Sequence, residues 1–348
     1  MVKILPKWLQ PKEAKEAYRG EKVKVLDGVR EYGLYYVWYH IKRANYPVLA
    51  TYAALILISY QFMYPILRMI MTSIMSMDDI IDPAVNWLPS DWSFGNLRLA
   101  FYVMEPQITM LNSIWFSGLL ATGATLIAAT TGFAFARYDF IFKNFWFLMV
   151  LFSFIVPVPV LMVPRLMMML NFFEHTGIVV FATPYPQILM AFLGQGVFSA
   201  ILILIFYNFT KMIPRSLDEA ASIDGASSLQ VFYHVILKLS VPTLLVVFLL
   251  SFVWNWNETY ITEAILRDGI QLMPARLYRF EQFFIGVAQD IGAAGAGDMV
   301  EEDPMMARIN EAFRMAGTLL SMLPLFVLYL LVQRQFIKGI ENTGITGE

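Results

Sequence analysis

The sequence predicts an all-α polytopic membrane protein on two observations: stretches of mostly apolar residues long enough to cross a bilayer recur along the chain, and charge is confined between them. Of 348 residues 58% are hydrophobic and 15% charged, with a mean hydropathy of +0.58, which is too apolar for a water-soluble globule. A spanning helix needs roughly 20 mostly apolar residues. Six stretches qualify, at about 47–74, 112–136, 145–170, 183–208, 240–262 and 313–336.

Ahead of the first span lies a tail, residues 1–46, in which Tyr32, Tyr35, Tyr36, Trp38 and Tyr39 crowd against Lys42 and Arg43. Aromatics flanked by cations suit a helix lying at the headgroup level. No small-residue cleavage site follows the first apolar run, so it is expected to remain as an anchor. Six spans put both termini on one side. The tail and the segments around Arg137, Lys143, Lys211, Arg215, Lys238, Arg334 and Lys338 carry most of the Lys and Arg, whereas the opposite segments hold only Arg98, Arg267, Arg276, Arg279 and Arg308. The positive-inside rule therefore places both termini in the cytoplasm.

Between the fourth and fifth spans, on that cytoplasmic side, stands a polar cassette at 214–238. Ser216 followed by Glu219 is a capping-box pattern that should start a short helix. Gly225 suits its left-handed stop. Ser227 followed by Gln230 repeats the box and launches a second helix, in which Val231, Phe232, Val235 and Ile236 share a face. Ala220 and Ala221 let another backbone approach, while Asp218, Glu219 and Asp224 offer charge to a basic partner. Caps alone do not account for the paired alanines or the glycine corner, so the cassette reads as a docking handle.

These residues carry a resemblance. Glu219-Ala220-Ala221, Asp224-Gly225-Ala226, and Ile236-Leu237 ahead of Leu239-Ser240-Val241-Pro242 are similar to the EAA loop of ABC importer permeases, in particular the maltose-type carbohydrate-uptake group. The likeness extends to Asn112-Ser113, to Ala134-Phe135-Ala136-Arg137-Tyr138, to Trp254-Asn255-Trp256-Asn257-Glu258 and to the tail Gln333–Gly339, covering roughly 47–280 and 313–348. The resemblance implies a type I importer permease of six transmembrane helices in the cell membrane. Its coupling residues would be Ser216, Leu217, Asp218, Glu219, Ala220, Ala221, Asp224, Gly225 and Ala226. It further implies a second related permease, two ATPase subunits that bind ATP and Mg²⁺, and an extracytoplasmic sugar-binding protein, with no cofactor on this chain. Maltose, trehalose, other oligosaccharides and glycerol phosphates all stay open as cargo. Two features depart from the family: Lys238 replaces a usual proline, which should soften the end of the second loop helix, and about 281–311 is an insertion.

Other residues point to a pathway. Trp254, Asn255, Asn257 and Glu258 fall some 22–27 Å along the fifth span at about 1.5 Å per residue, where amides and aromatic faces suit a polyhydroxylated solute and tryptophans equally suit an interfacial belt. Arg68 lies near a span end and is expected to snorkel. Arg165 follows Pro157, Pro159 and Pro164, which predicts a kinked third span lining a cavity. Pro184, Pro186, Gly194 and Gly196 make the same case for the fourth span, with Gln195 a candidate pathway residue, although glycines also serve helix packing. The segment 263–312, rich in glycine near 292–297 and acidic after it, is extracytoplasmic by this topology: either a receiver for a binding protein or a solvated insertion. Residues 313–348 complete the chain with the sixth span and a cytoplasmic tail.

Several classes are excluded or disfavoured. A net charge of −2 gives no case for nucleic acid, and zero cysteines remove disulfides, thiolate metal sites and cysteine nucleophiles. His40, His175 and His234 lack metal-site spacing, and no P-loop or hydrolase motif occurs, so ATP hydrolysis is not this chain's own chemistry. An ion-coupled secondary carrier would need carboxylates deep in the spans, and an intramembrane enzyme a nucleophile with its base. Neither set is present.

Overall fold

A computed structural model describes residues 46–85, 87–267, 269–284 and 304–342. The expected interfacial helix of the tail and most of the insertion lie outside the described residues. The chain divides into two units, 1–67 and 68–348. In the first, the described residues form one apolar helix, α1, Tyr46–Ser73, which runs a turn and a half into the second and matches the first predicted span.

The second unit begins with short outer elements, α2 (Met77–Ile81) and α3 (Gly95–Met104), then α4 (Pro106–Arg137). There follow α5 (Lys143–Ile155), α6 (Val158–Thr176), α7 (Tyr185–Phe192) and α8 (Ser199–Met212). The cassette comprises α9 (Arg215–Ile223), α10 (Ser228–Val231), a π-turn at Phe232–Ile236 and α11 (Leu237–Leu239). The chain then forms α12 (Val241–Asn257), α13 (Tyr260–Leu266), α14 (Met273–Tyr278), a helical stretch at 280–284, and α15 (Pro304–Asn342).

Helix α4 is the axis of this unit. Its 32 residues reach about 48 Å, well beyond the roughly 30 Å of a bilayer core. Around it pack α8, α12, α7 and α14. Small residues make the close approach possible: Ala121, Ala124, Ala128, Gly132 and Ala136 are all buried. At Gly132 a Cβ would stand 2.8 Å from the Tyr207 amide nitrogen and 3.0 Å from the Ile203 carbonyl, so α4 and α8 meet backbone to backbone. Such contact replaces the hydrophobic drive that lipid cannot supply between helices. The core is layered along α4. Phe133, Phe206, Ile213, Val231, Phe232 and Ile236 form the layer beside the cassette; Ala124, Ala128, Leu202, Ile203 and Val247 lie in the middle; Met104, Phe252, Trp256, Met273 and Phe313 fill the far end.

Three of the predicted spans are not single straight helices. Helices α5 and α6 meet at 103°, because Val156 precedes Pro157 and is driven out of helical geometry to φ −68°, ψ 121°. The fourth stretch splits into α7 and α8 at Gly194 (φ 75°) and Phe198 (φ 49°). The fifth ends at Asn257 rather than about 262, with α13 starting afresh at Tyr260. By length and composition α1, α4 and α15 can each cross a membrane, and three bent helix pairs bring the number to as many as six.

At the far end a buried arginine ties the outer elements together. Arg276 donates to the Val103 carbonyl (2.5 Å), to Gln271 Oε1 (2.5 Å) and to Glu105 Oε1 (2.7 Å), and its guanidinium covers the Phe283 ring at 4.4 Å. Arg68 lies 4.0 Å from Glu311, with both side chains about half exposed, so the predicted snorkelling ends at a loose ion pair.

Candidate functional site

The cassette folds as helix, glycine corner, helix, though not with both predicted caps. The Ser227–Gln230 box is present: Ser227 Oγ accepts from the Gln230 amide, and Gln230 Oε1 accepts from the Ser227 amide at 2.7 Å. The Ser216–Glu219 box is absent. Ile213 precedes Pro214 and is extended, so the helix starts two residues early at Arg215 with Pro214 as its cap; Ser216 is then inside the first turn, where its side chain cannot cap. The stop is as expected. Gly225 adopts φ 85°, its amide donates to the Ser222 carbonyl and the Ala226 amide to the Ala221 carbonyl (2.9 Å), the paired bonds of a Schellman ending.

Beyond the corner, Val231, Phe232 and Ile236 are buried and Val235 half-buried on the shared face anticipated from spacing, packed on Phe133 and Phe206. Lys238 lies in continuing helix, and the 80° turn into α12 falls at Ser240, whose hydroxyl donates to the Ile236 carbonyl, just before Pro242. The π-turn lets one extra residue pass per turn while that apolar face stays in place.

What fixes the first helix is a residue outside the cassette. Arg137, the last residue of α4, holds Asp218 at 2.7 Å between Nε and Oδ2, and its Nη2 donates to the Ile213 carbonyl at 2.8 Å. The Arg137 side chain is 6% exposed and that of Asp218 21%. Burial lifts the Asp218 carboxyl above its ordinary range, and Arg137 and Arg215 pull it down only in part. Asp218 thus ties α9 to the end of α4. Glu219 and Asp224 remain exposed, as do Leu217, Ala220 and Ile223, the last at 86%. A cavity of about 280 Å³ opens beside the corner, lined by Ala221, Asp224, Gly225, Ala226, Gln230 and His234, among others. Arg137 was visible in the sequence as one of the cytoplasmic-side cations and as part of the Ala134–Tyr138 run; no periodicity links it to a residue 81 positions later.

The pathway candidates separate into two groups. Asn255 is buried, and its amide donates to the Ser251 carbonyl (2.8 Å) and Ser251 Oγ (3.2 Å) within its own helix. Glu258 Oε1 accepts from the Ile261 amide at 2.6 Å, and Asn257 donates to the Val253 carbonyl. Trp256 is 2% exposed, stacked on Phe252 in the core and so not part of an interfacial belt. By contrast Trp254 is half-buried with its ring edge on Phe198 at 5.0 Å, and the exposed Gln195 accepts through its carbonyl from Arg165 Nη2 at 3.3 Å. One loop, 194–198, thus meets Arg165 at Gln195 and Trp254 at Phe198. Phe198 was not singled out by its sequence context. Deep in the same unit, α4, α5, α7, α8 and α12 contain no Asp or Glu.

Apolar helices around a long axial helix, with a polar helix-glycine-helix projecting from one end, define an integral membrane permease subunit. A family model described as the binding-protein-dependent transport system inner membrane component matches residues 121–342, and the chain belongs to that family. Similar curated proteins include the arabinooligosaccharides transport system permease protein AraQ of Halalkalibacterium halodurans, 24% identical over 313 residues, covering 88% of this chain and 100% of that protein. The sn-glycerol-3-phosphate transport system permease protein UgpE of Pectobacterium atrosepticum is 26% identical over 277 residues, 76% of this chain and 85% of its own. In fold, the chain resembles a subunit of a bacterial ABC transporter involved in the import of the acidic polysaccharide alginate, with a TM-score of 0.64 at 19% identity, covering 83% of this chain and 95% of that one.

Proposed function

We propose that this permease subunit forms half of the pathway of an ATP-driven sugar importer and that its cassette receives the stroke of an ATPase. The observation that carries the reading is α9. This helix is anchored to α4 on one side by Arg137–Asp218 and presents Leu217, Glu219, Ala220 and Ile223 to solvent on the other. An exposed apolar stripe beside a carboxylate is a docking face, and a rigid ion pair behind it passes displacement into the axial helix. The cassette lies in the cytoplasm with both termini, and ATP and Mg²⁺ are bound by two partner ATPase subunits. A second related permease completes the pathway, and an extracytoplasmic binding protein delivers the solute. The sugar class follows the relatives, whose names include an arabinooligosaccharide and a glycerol-phosphate system.

Glu219→Lys tests the docking face, since its side chain is exposed and the substitution leaves the core alone. In the complete assembly it should still insert and pair with the second permease, while solute-stimulated ATP hydrolysis and uptake fall at least tenfold. Normal stimulated hydrolysis in that variant would remove the loop from the mechanism.

A further inference from the structure

Four arginines among the described residues are not exposed: Arg137, Arg165, Arg276 and Arg279. Three hold a carboxylate, Asp218, Glu105 and Glu263 respectively. Arg165 holds none among the described residues; its hydrogen bond is to the carbonyl of Gln195. A guanidinium at membrane depth is costly and is met by counter-charges or backbone carbonyls; Arg165 has the Gln195 carbonyl and no carboxylate among the described residues, which leaves a place for an anion.

The surroundings fit one. The chain leaves Gln195 through Gly196 and enters α8 at Ser199, where the Ser199, Ile201 and Leu202 amides donate to the Gly196 and Phe198 carbonyls and the 14-residue helix turns its positive dipole end toward the loop. Ser199 is 4% exposed and its hydroxyl has no hydrogen-bond partner. That oxygen lies against Gly196, 3.3 Å from where a Cβ there would stand, and so faces the loop that Arg165 grips. A buried hydroxyl without a partner is uncommon and calls for an explanation. Phe198, the residue between, is held at φ 49°, a conformation bulky side chains rarely adopt. Strain of this kind persists where the surroundings enforce it, and it clusters at ligand sites. It sets the Phe198 ring on Trp254, giving an aromatic pair at the end of the same loop. Counted from the cassette-side ends of their helices, Ser199 and Trp254 both lie about 20 Å along.

We propose that Arg165 and Ser199, at the amino end of α8, bind the negatively charged group of an acidic saccharide in transit, with Trp254 and Phe198 against its ring faces. The importer is then selective for anionic sugars, carboxylated or phosphorylated, over neutral ones of equal size. This rests on the importer reading above, and the test separates the two. The complete assembly, in nanodiscs of zwitterionic lipid, is titrated with digalacturonate, glycerol 3-phosphate and neutral galactobiose while tryptophan fluorescence reports binding. ATP hydrolysis by the same preparation tests the importer reading alone.

The parent assembly should bind at least one of the two anions at least tenfold tighter than the neutral disaccharide. Arg165→Gln should erase that preference, a loss of about tenfold to a hundredfold for a charge-assisted hydrogen bond, and Arg165→Lys should recover part of it. Ser199→Ala, which leaves the charge in place, should weaken anion binding by about fivefold. Equal or better binding of galactobiose, failure of both anions to bind, or an anion preference that survives Arg165→Gln would overturn the proposal. So would native mass spectrometry of assemblies in anionic lipid if Arg165→Gln loses a bound phospholipid while saccharide preference stays put, since Arg165 would then serve the bilayer.

Discussion

Cutting the Arg137–Asp218 strut should free α9 without unfolding the bundle. No residue of α9 is fully buried, so the helix is held mainly by this ion pair, by the Arg137 bond to the Ile213 carbonyl and by the half-buried Ala221. Removing one partner of a buried pair costs about 3–5 kcal/mol when the orphaned charge cannot escape. Here Asp218 keeps 21% exposure at the edge of the structure and can turn to water, so the cost settles at about 1.5–3 kcal/mol. Because α4 is packed along its whole length, that loss falls on local opening of α9 rather than on global stability. Arg137→Gln and Asp218→Asn should each speed hydrogen exchange of the α9 amides by about 10- to 100-fold, with exchange at 121–132 of α4 unchanged. The double variant should be no worse than Arg137→Gln alone, which already removes the ion pair and the Ile213 bond, and solute-stimulated ATP hydrolysis should fall in step with exchange. Unchanged exchange, or additive effects in the double variant, would show that something other than this pair positions the helix.

Two further outcomes follow from the packing and the outer loop. Gly132→Ala places a methyl against backbone, which cannot swing aside, so it should cost about 1–3 kcal/mol as overpacking and lower the melting temperature of the purified assembly; the same change at Gly177, where a Cβ meets nothing within 4 Å but φ is 71°, should act only through local strain. Equal melting temperatures for Gly132→Ala and the parent would contradict the close approach of α4 and α8. Asp79, at the start of α2, accepts from the amides of Ser90 (2.9 Å) and Asp91 (3.1 Å), and the Asp91 bond first, then those of Ser90, hold its carboxyl below the usual range. Its folded value is depressed, so its contribution is present above the unfolded value of about 3.9 and is lost as pH falls through the folded one. Exchange at Ser90 and Asp91, corrected for intrinsic rates, should rise across that acid window in the parent, and Asp79→Asn should show the faster rate at neutral pH; a flat profile in the parent would refute the clasp.

Composition and the spacing of apolar runs determined the class of this protein, because a bilayer accepts few solutions and helices of about 20 apolar residues are the simplest. The glycine corner and the second cap were equally legible, since φ > 0 at Gly225 and the Ser227–Gln230 exchange are decided within a few residues. Local rules failed where two of them competed: Ser216 had the right partner at Glu219, but Pro214 set the helix start and left the serine inside. At the fifth span they named Asn255, Asn257 and Glu258 but not their local partners: the Asn amides donate to the Ser251 and Val253 carbonyls, and Glu258 Oε1 accepts from the Ile261 amide. Tertiary structure alone brought Arg137 to Asp218, Arg165 to Gln195 and Arg276 to Glu105, pairs separated by 81, 30 and 171 positions. Such pairings depend on how whole helices cross, and the crossing of α4 and α8 rests on the missing side chain at Gly132, a contact that no pattern along one chain segment encodes.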